Sequence, residues 1–160
     1  MQKHKSKLVV VIIVALLLGA GIYYENRHSV AKQITEDSIA IVEFPSGEII
    51  KADIADTESK RNAGLSNREQ IGIDEGLLFL HDEKAIHNYW MKDMLFAIDI
   101  IWIDGDIVTG FSENLLPENP ASTIYSPEVP VDYVLEVQAG FVDEIGLLKG
   151  DKLDIQLPEQ

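Results

Sequence analysis

One segment of this chain gathers an aromatic ring, a cation and two acids inside an otherwise apolar run. Residues 87–104 read His-Asn-Tyr-Trp-Met-Lys-Asp-Met-Leu-Phe-Ala-Ile-Asp-Ile-Ile-Trp-Ile-Asp. Charge placed in a core is costly unless it is paired or hydrogen-bonded, so Lys92, Asp93 and Asp99 need a reason to be there. Trp90, Lys92 and Asp99, with Glu136 and Arg68 from elsewhere in the chain, form a candidate ligand-binding set. An aromatic wall with a few charged groups is what a pocket for a small polar ligand uses. A structural reading stands beside it. Asp99 and Glu136 then pair with Lys92 or Arg68 and brace the loops, while Trp90 fills the core.

Catalytic patterns fare poorly. Gly110-Phe111-Ser112-Glu113-Asn114 lacks the second glycine of a nucleophile elbow. His81 and His87 flank Asp82-Glu83, but the spacing is not that of a His-Glu-x-x-His zinc site, and the pair reads as turn decoration. Asp104-Gly105-Asp106 lacks the further ligands of a calcium loop and suffices as a hairpin turn. No glycine loop suits a phosphate. The chain has no cysteine, which excludes disulfides, thiolate metal sites and a thiol nucleophile. No catalytic residue, metal or cofactor is assigned, and the balance leans away from an enzyme.

The surrounding pattern is one of short strands. Residues 39–44 and 48–54 read as a hairpin around Pro45-Ser46-Gly47. Asp56 or Thr57 can cap a short helix through Asn62, ended by Gly64. Residues 75–80 and 86–91 read as two strands about the polar turn 81–84. Residues 98–103 and 106–111 read as a hairpin about Asp104-Gly105. Pro117, Pro120, Pro127 and Pro130 make residues 115–131 a long loop. A strand at 133–137, a short helix at 141–148 and a last strand at 152–157 follow. The expected fold is mainly β, a single β-sandwich or barrel-like domain with two short helices.

The N-terminus carries a different signal. Residues 8–24 contain no charge, and about 17 residues is the lower limit for a membrane-spanning helix. Lys3, Lys5 and Lys7 precede this run and Tyr23 and Tyr24 close it, which orients residues 1–7 as a cytoplasmic tail. The preferred reading is one transmembrane signal anchor at 8–24, a polar linker at 25–37 and an extracytoplasmic domain at 38–160. The alternative is a cleaved signal peptide, with a small-x-small site ending at Ala31 and a secreted product. From Ser38 onward 24 acids face eight lysines and arginines, a balance of −16. Such a surface repels nucleic acid and keeps a domain soluble.

Several ordered motifs resemble those of the domain of unknown function 192, a prokaryotic family. They are Ala55-Asp56-Thr57 through Gly64-Leu65, Arg68, Asp74-Glu75-Gly76-Leu77-Leu78-Phe79, Trp90-Met91-Lys92, Ile98-Asp99-Ile100, and Tyr133-Val134-Leu135-Glu136-Val137-Gln138-Ala139-Gly140. The resemblance implies a β-sandwich-like fold and agrees with a signal peptide or anchor; it carries no established activity. Asp93-Met94 stand where the family commonly has Asn-Thr, and Ala97 where it commonly has Pro, so a ligand site using those residues is altered here.

The function expected is that of a membrane-anchored, non-catalytic binding or accessory module for a small polar ligand or a cell-envelope protein. The alternatives are an envelope hydrolase using Asp99, Glu136 and Lys92, and a purely structural envelope protein. Topology gives the first test: protease added to intact spheroplasts should remove residues 26–160. Full-length protein that survives until lysis overturns it.

Overall fold

The computed structural model describes residues 39–118 and 123–158. The expected membrane span at 8–24 and the linker lie outside the described residues. Among the described residues, no helix is long and apolar enough to cross a membrane.

The chain runs β1 (Ile39–Glu43), β2 (Ile49–Ala55), α1 (Glu58–Ala63), β3 (Glu75–Ala85), β4 (Ile98–Asp104), β5 (Ile107–Leu115), β6 (Val131–Gln138), α2 (Phe141–Ile145), β7 (Asp154–Gln156). Among the described residues, seven strands form one sheet in the order β5-β4-β6-β3-β2-β1-β7. Only β2 and β3 pair in parallel, with α1 in the connection between them. The sheet curls until its edges touch. At the start of β5, the Val108 amide donates to the Asp151 carbonyl at 2.9 Å, and the Leu153 amide, just ahead of β7, donates to the Asp106 carbonyl at 2.8 Å. The fold of the described residues is therefore mainly β with two short helices, but it is a half-barrel. The sandwich form is corrected, because a single continuous sheet folds over on itself.

Both faces of the central strands are covered. One core cluster joins Val42, Phe44, Ile50, Leu78, Ile101, Ile103, Leu135 and Val137 to Phe141 and Val142 of α2. The other joins Leu77, Phe79, Ile98, Ile100, Trp102 and Val134 to Leu65, Tyr89, Met91 and Met94 from the connections. The alternation follows the two-residue period of a strand. It explains why 98–103 reads as a continuous apolar run.

Local chemistry sets most boundaries. Thr57 caps α1, its hydroxyl accepting from the Lys60 amide at 3.3 Å, and Gly64 ends the helix at a positive φ of 51°. One expected pair of strands fails. Residues 75–85 form a single eleven-residue strand, and residues 86–91 form a connection whose β-pairing, among the described residues, is the isolated Tyr89–Tyr125 bridge. The acidic stretch 81–84 resembles a turn by composition but is the exposed end of β3, reaching past its β2 partner at Phe79.

Gly76 lets β3 and β6 approach. A Cβ there would lie 2.9 Å from the Glu136 carbonyl oxygen, 2.9 Å from Ile50 Cγ2 and 3.2 Å from Leu135 Cδ1. Two of these neighbours are core side chains and one is backbone, so none yields cheaply. Gly76→Ala should destabilise the domain by about 1–3 kcal/mol, the usual range for overpacking. Urea unfolding measures it, and an unchanged midpoint would show that β6 can shift at no cost.

Candidate functional site

The second core cluster is incomplete at one place. Between α1, the exposed end of β3 and the connection 86–97 lies a cavity of about 300 Å³. Leu65, Phe79, Tyr89 and Met94 give it apolar walls, and Trp90 flanks it with its indole half in solvent, at 47% exposure. Its polar lining includes Arg61, His81, His87 and Glu136.

Glu136 is the unusual group. It sits on β6 with only 6% of its surface exposed. Its partners across the sheet are Leu77 on β3 and Ile100 on β4, so it stands in an apolar row. No hydrogen-bond donor reaches Oε2. Burial penalises the carboxylate and pushes its pKa up to about 8, against a smaller lowering by the Arg68 charge.

A second polar group completes the wall. The rings of His81 and His87 stack at 3.4 Å with 9° between their planes. His81 Nε2 and Tyr89 Oη are hydrogen-bonded at 2.9 Å. Burial, and then the neighbouring His87 and Arg61, lower the His81 pKa to about 4, so the ring is neutral near pH 7. Burial drives the Tyr89 hydroxyl well above its ordinary value, with Glu136 adding to the effect. His87 Nε2 is buried without a hydrogen-bond partner. Arg61 lies on the same wall, but its Nη1 donates to the Asp56 and Leu80 carbonyls at 2.9 and 2.8 Å.

The sequence candidates divide. Trp90 and Glu136 line the cavity; Lys92, Asp99 and Arg68 do not. Asp99 is fully buried on the opposite face of the sheet, and backbone amides hold it instead of Lys92. Oδ1 accepts from the Asn114 amide at 2.7 Å, and Oδ2 from the Gly140 and Val142 amides, each at 3.0 Å. It ties the end of β5 to the start of α2. Lys92 is exposed, and its carbonyl accepts from the Ser66 hydroxyl at 2.9 Å. Arg68 pairs with Asp53 at 2.9 Å on an exposed surface. The sequence reading sets His81 and His87 aside as turn decoration and passes over Tyr89 and Arg61. Carrying the two-residue period of Leu77 and Phe79 one step further would have placed His81 on the cavity face. Among the described residues, no three His, Asp or Glu side chains are grouped to hold a metal.

The departures Asp93 and Met94 become legible here. Asp93 has a positive φ of 56°, a conformation that Asn and Asp both tolerate, so the backbone turn survives the exchange. Met94 is buried and lines the cavity, so a thioether stands where the family's usual threonine would bring a hydroxyl.

Two tests follow. Asp99→Ala strips the acceptor from three amides and should cost about 3 kcal/mol or more, at about 1–3 for each buried donor left unpaired. Lys92→Met should stay within about 0.5 kcal/mol, as exposed substitutions do. Equal losses in urea unfolding would overturn this division. For Glu136 the folded pKa lies above the unfolded one, so its contribution to stability is complete below about 4.5 and is lost as pH rises to about 8. The lowered His81 pKa works the other way between about 4 and 6.5. Above 6.5 only the Glu136 effect remains of the two. Stability should therefore fall from about pH 6.5 to 8, and Glu136→Gln should flatten that fall; an unchanged slope in the variant would locate the titration elsewhere.

Comparisons place the chain. The DUF192 family model, described as "Uncharacterized ACR", matches residues 41–155. A protein of unknown function from Novosphingobium aromaticivorans superposes with a TM-score of 0.66 at 27% identity, covering 72% of this chain and 83% of that one. A proposed transcription regulator from Sinorhizobium meliloti gives a TM-score of 0.66 at 30% identity, covering 74% of this chain and 92% of that one. No curated protein matches. With the family model spanning most of its length, the chain belongs to the DUF192 family.

Proposed function

We propose that the domain is a non-catalytic binding module whose cavity holds a small polar ligand, carried outside the cytoplasm on the anchor at residues 8–24. One observation carries the ligand reading. Two buried polar atoms, Glu136 Oε2 and His87 Nε2, lack hydrogen-bond partners, and both residues line one cavity. A folded domain rarely leaves buried polar atoms unsatisfied without a use for them. The half-exposed indole of Trp90 flanks the same space. The description of the Sinorhizobium protein as a regulator does not extend here to direct DNA contact, since a net charge of −14 repels phosphate.

An enzymatic reading has one observation in its favour. A carboxyl with its pKa near 8, beside a histidine and a tyrosine, suits proton transfer near neutral pH. The binding reading is preferred because the Ser66 hydroxyl on the cavity wall donates to the Lys92 carbonyl and not to a histidine, and among the described residues no three His, Asp or Glu side chains are grouped to hold a metal.

Trp90 supplies the assay. The full chain in mild detergent, screened against a library of small polar compounds, should show indole emission shifts with at least one chemical class. Those compounds should raise the melting temperature, by the equivalent of about 2.7 kcal/mol at a hundredfold excess over Kd. Trp90→Phe should remove the optical signal and Glu136→Gln the stabilisation. Stabilisation that survives Glu136→Gln would place binding elsewhere, and a silent library would leave the structural reading in its place.

A further inference from the structure

We infer that this cavity takes a small organic cation, a primary ammonium on an apolar body, with the charge paired to Glu136 and the body against Tyr89 and Trp90. The inference rests on the cavity being a ligand site and names the class of ligand. It starts from what the wall lacks. Glu136 is a buried carboxyl with no hydrogen-bond donor at Oε2 and no cation in reach, and its ionised form needs a cation beside it. Arg68, whose charge is felt at Glu136, is paired with Asp53 outside the cavity.

Asn62, Ser66 and Asn88 give the lining mixed polarity, but the groups around the unpartnered atoms can all accept once Glu136 is ionised. Glu136 Oε2 accepts, His87 Nε2 accepts when its proton is on Nδ1, and Tyr89 Oη has lone pairs. An ammonium brings three donors and no acceptor, which matches this wall. A carboxylate or phosphate ligand brings only acceptors and would meet Glu136 unfavourably. The cation that could receive an anion is Arg61, and its Nη1 is held by two carbonyls, with Glu58 on the same wall. The rings of Phe79, Tyr89 and Trp90 add apolar area, and aromatic faces attract cations. The overall charge of −14 steers cations toward the domain.

Pairing fixes the proton balance. Near neutral pH the free carboxyl is mostly protonated, because burial raises its pKa to about 8. When the ammonium enters, Glu136 gives its proton to solvent and becomes the carboxylate of the pair. Binding therefore releases close to one proton for each ammonium bound.

Titration calorimetry on the full chain in mild detergent tests this near neutral pH, in phosphate and in HEPES buffer, neither of which carries a primary ammonium. The probes are 2-phenylethylammonium, its neutral counterpart 2-phenylethanol, and the anion 3-phenylpropionate. The ammonium should bind at least about tenfold more tightly than the other two. Its heat should differ between the buffers by the ionisation heat of close to one proton. Glu136→Gln, checked for folding by its melting curve, should lose both the preference and the proton release. The buffer comparison needs no variant, so it stands even if Glu136→Gln fails to fold. Equal or tighter binding of the alcohol or the anion would overturn the cation while leaving the cavity as a ligand site. Ammonium binding without proton release would also overturn it. No heat from any probe up to about 10 mM, a limit far weaker than an ordinary ligand site, overturns the cation too. The library screen then decides whether the cavity binds anything else.

Discussion

Holding a carboxyl in an apolar row without a partner charge is the constraint on which the rest of the site depends. Glu136 is flanked across the sheet by Leu77 and Ile100, and the nearby aromatic cluster includes Phe79, Tyr89 and Trp102. A polar group buried without a hydrogen bond costs about 1–3 kcal/mol on mutational scales. A domain whose whole stability is about 5–15 kcal/mol feels that loss. The remainder of the fold offsets it. Strands β3, β4 and β6 bury residues on both faces, and Gly76 lets β3 lie against the Glu136 carbonyl. The backbone under Glu136 is thus held rigidly while the end of its side chain stays unsatisfied. Rigid support beneath a costly polar group is how binding sites keep their geometry.

Sheet parity separates the two acids that look alike in the sequence. Asp99 and Glu136 both interrupt apolar strands, and β4 and β6 are neighbours. The register pairs Ile100 with Glu136 and Asp99 with Val137, so the two carboxyls point to opposite faces. The helix face gives Asp99 three amide donors; the cavity face gives Glu136 no donor to Oε2. The same residue class becomes a structural clasp on one side and a candidate site on the other. A one-residue slip of β4 alone would turn Asp99 onto the face that Glu136 occupies. The sequence contains both strands, but it does not contain their pairing.

That limit marks how far the sequence can be read. The β1–β2 hairpin, the Thr57 cap, the Gly64 stop and the Asp104-Gly105 turn are local events written in a few residues, and each is found where the residues put it. Trp90 and Glu136, the two sequence candidates that line the cavity, are legible because an aromatic stands out in the connection and an acid in an apolar strand. Arg61 is not legible: its place depends on α1 packing beside Leu80, nineteen residues away. The histidines are hidden differently. His81 sits on a strand whose end looks like a turn, and His87 meets it only because the chain doubles back after Ala85. Reading Asp82-Glu83-Lys84 as a turn was sound on composition. It fails because an exposed strand end needs no apolar partner on either side.

The Trp-Met-Lys signature shows why a motif can be intact without its residues sharing a task. Met91 is fully buried and fixes the connection to the second core cluster, while its neighbours Trp90 and Lys92 are exposed. Trp90 flanks the cavity and Lys92 does not. The turn that follows is held by main-chain contacts, with the Asn67 amide donating to the Asp93 carbonyl at 2.8 Å and the Ser66 hydroxyl to the Lys92 carbonyl. Those contacts do not use the side chains of Asp93 or Lys92, so the connection keeps its path when they vary. Met94 differs in kind, because its side chain is buried in the cavity wall. Exchanging a hydroxyl for a thioether there removes a donor and widens the apolar side of the lining. Within one fold, then, the positive-φ turn at Asp93 preserves the frame, and the next residue changes what the frame can hold.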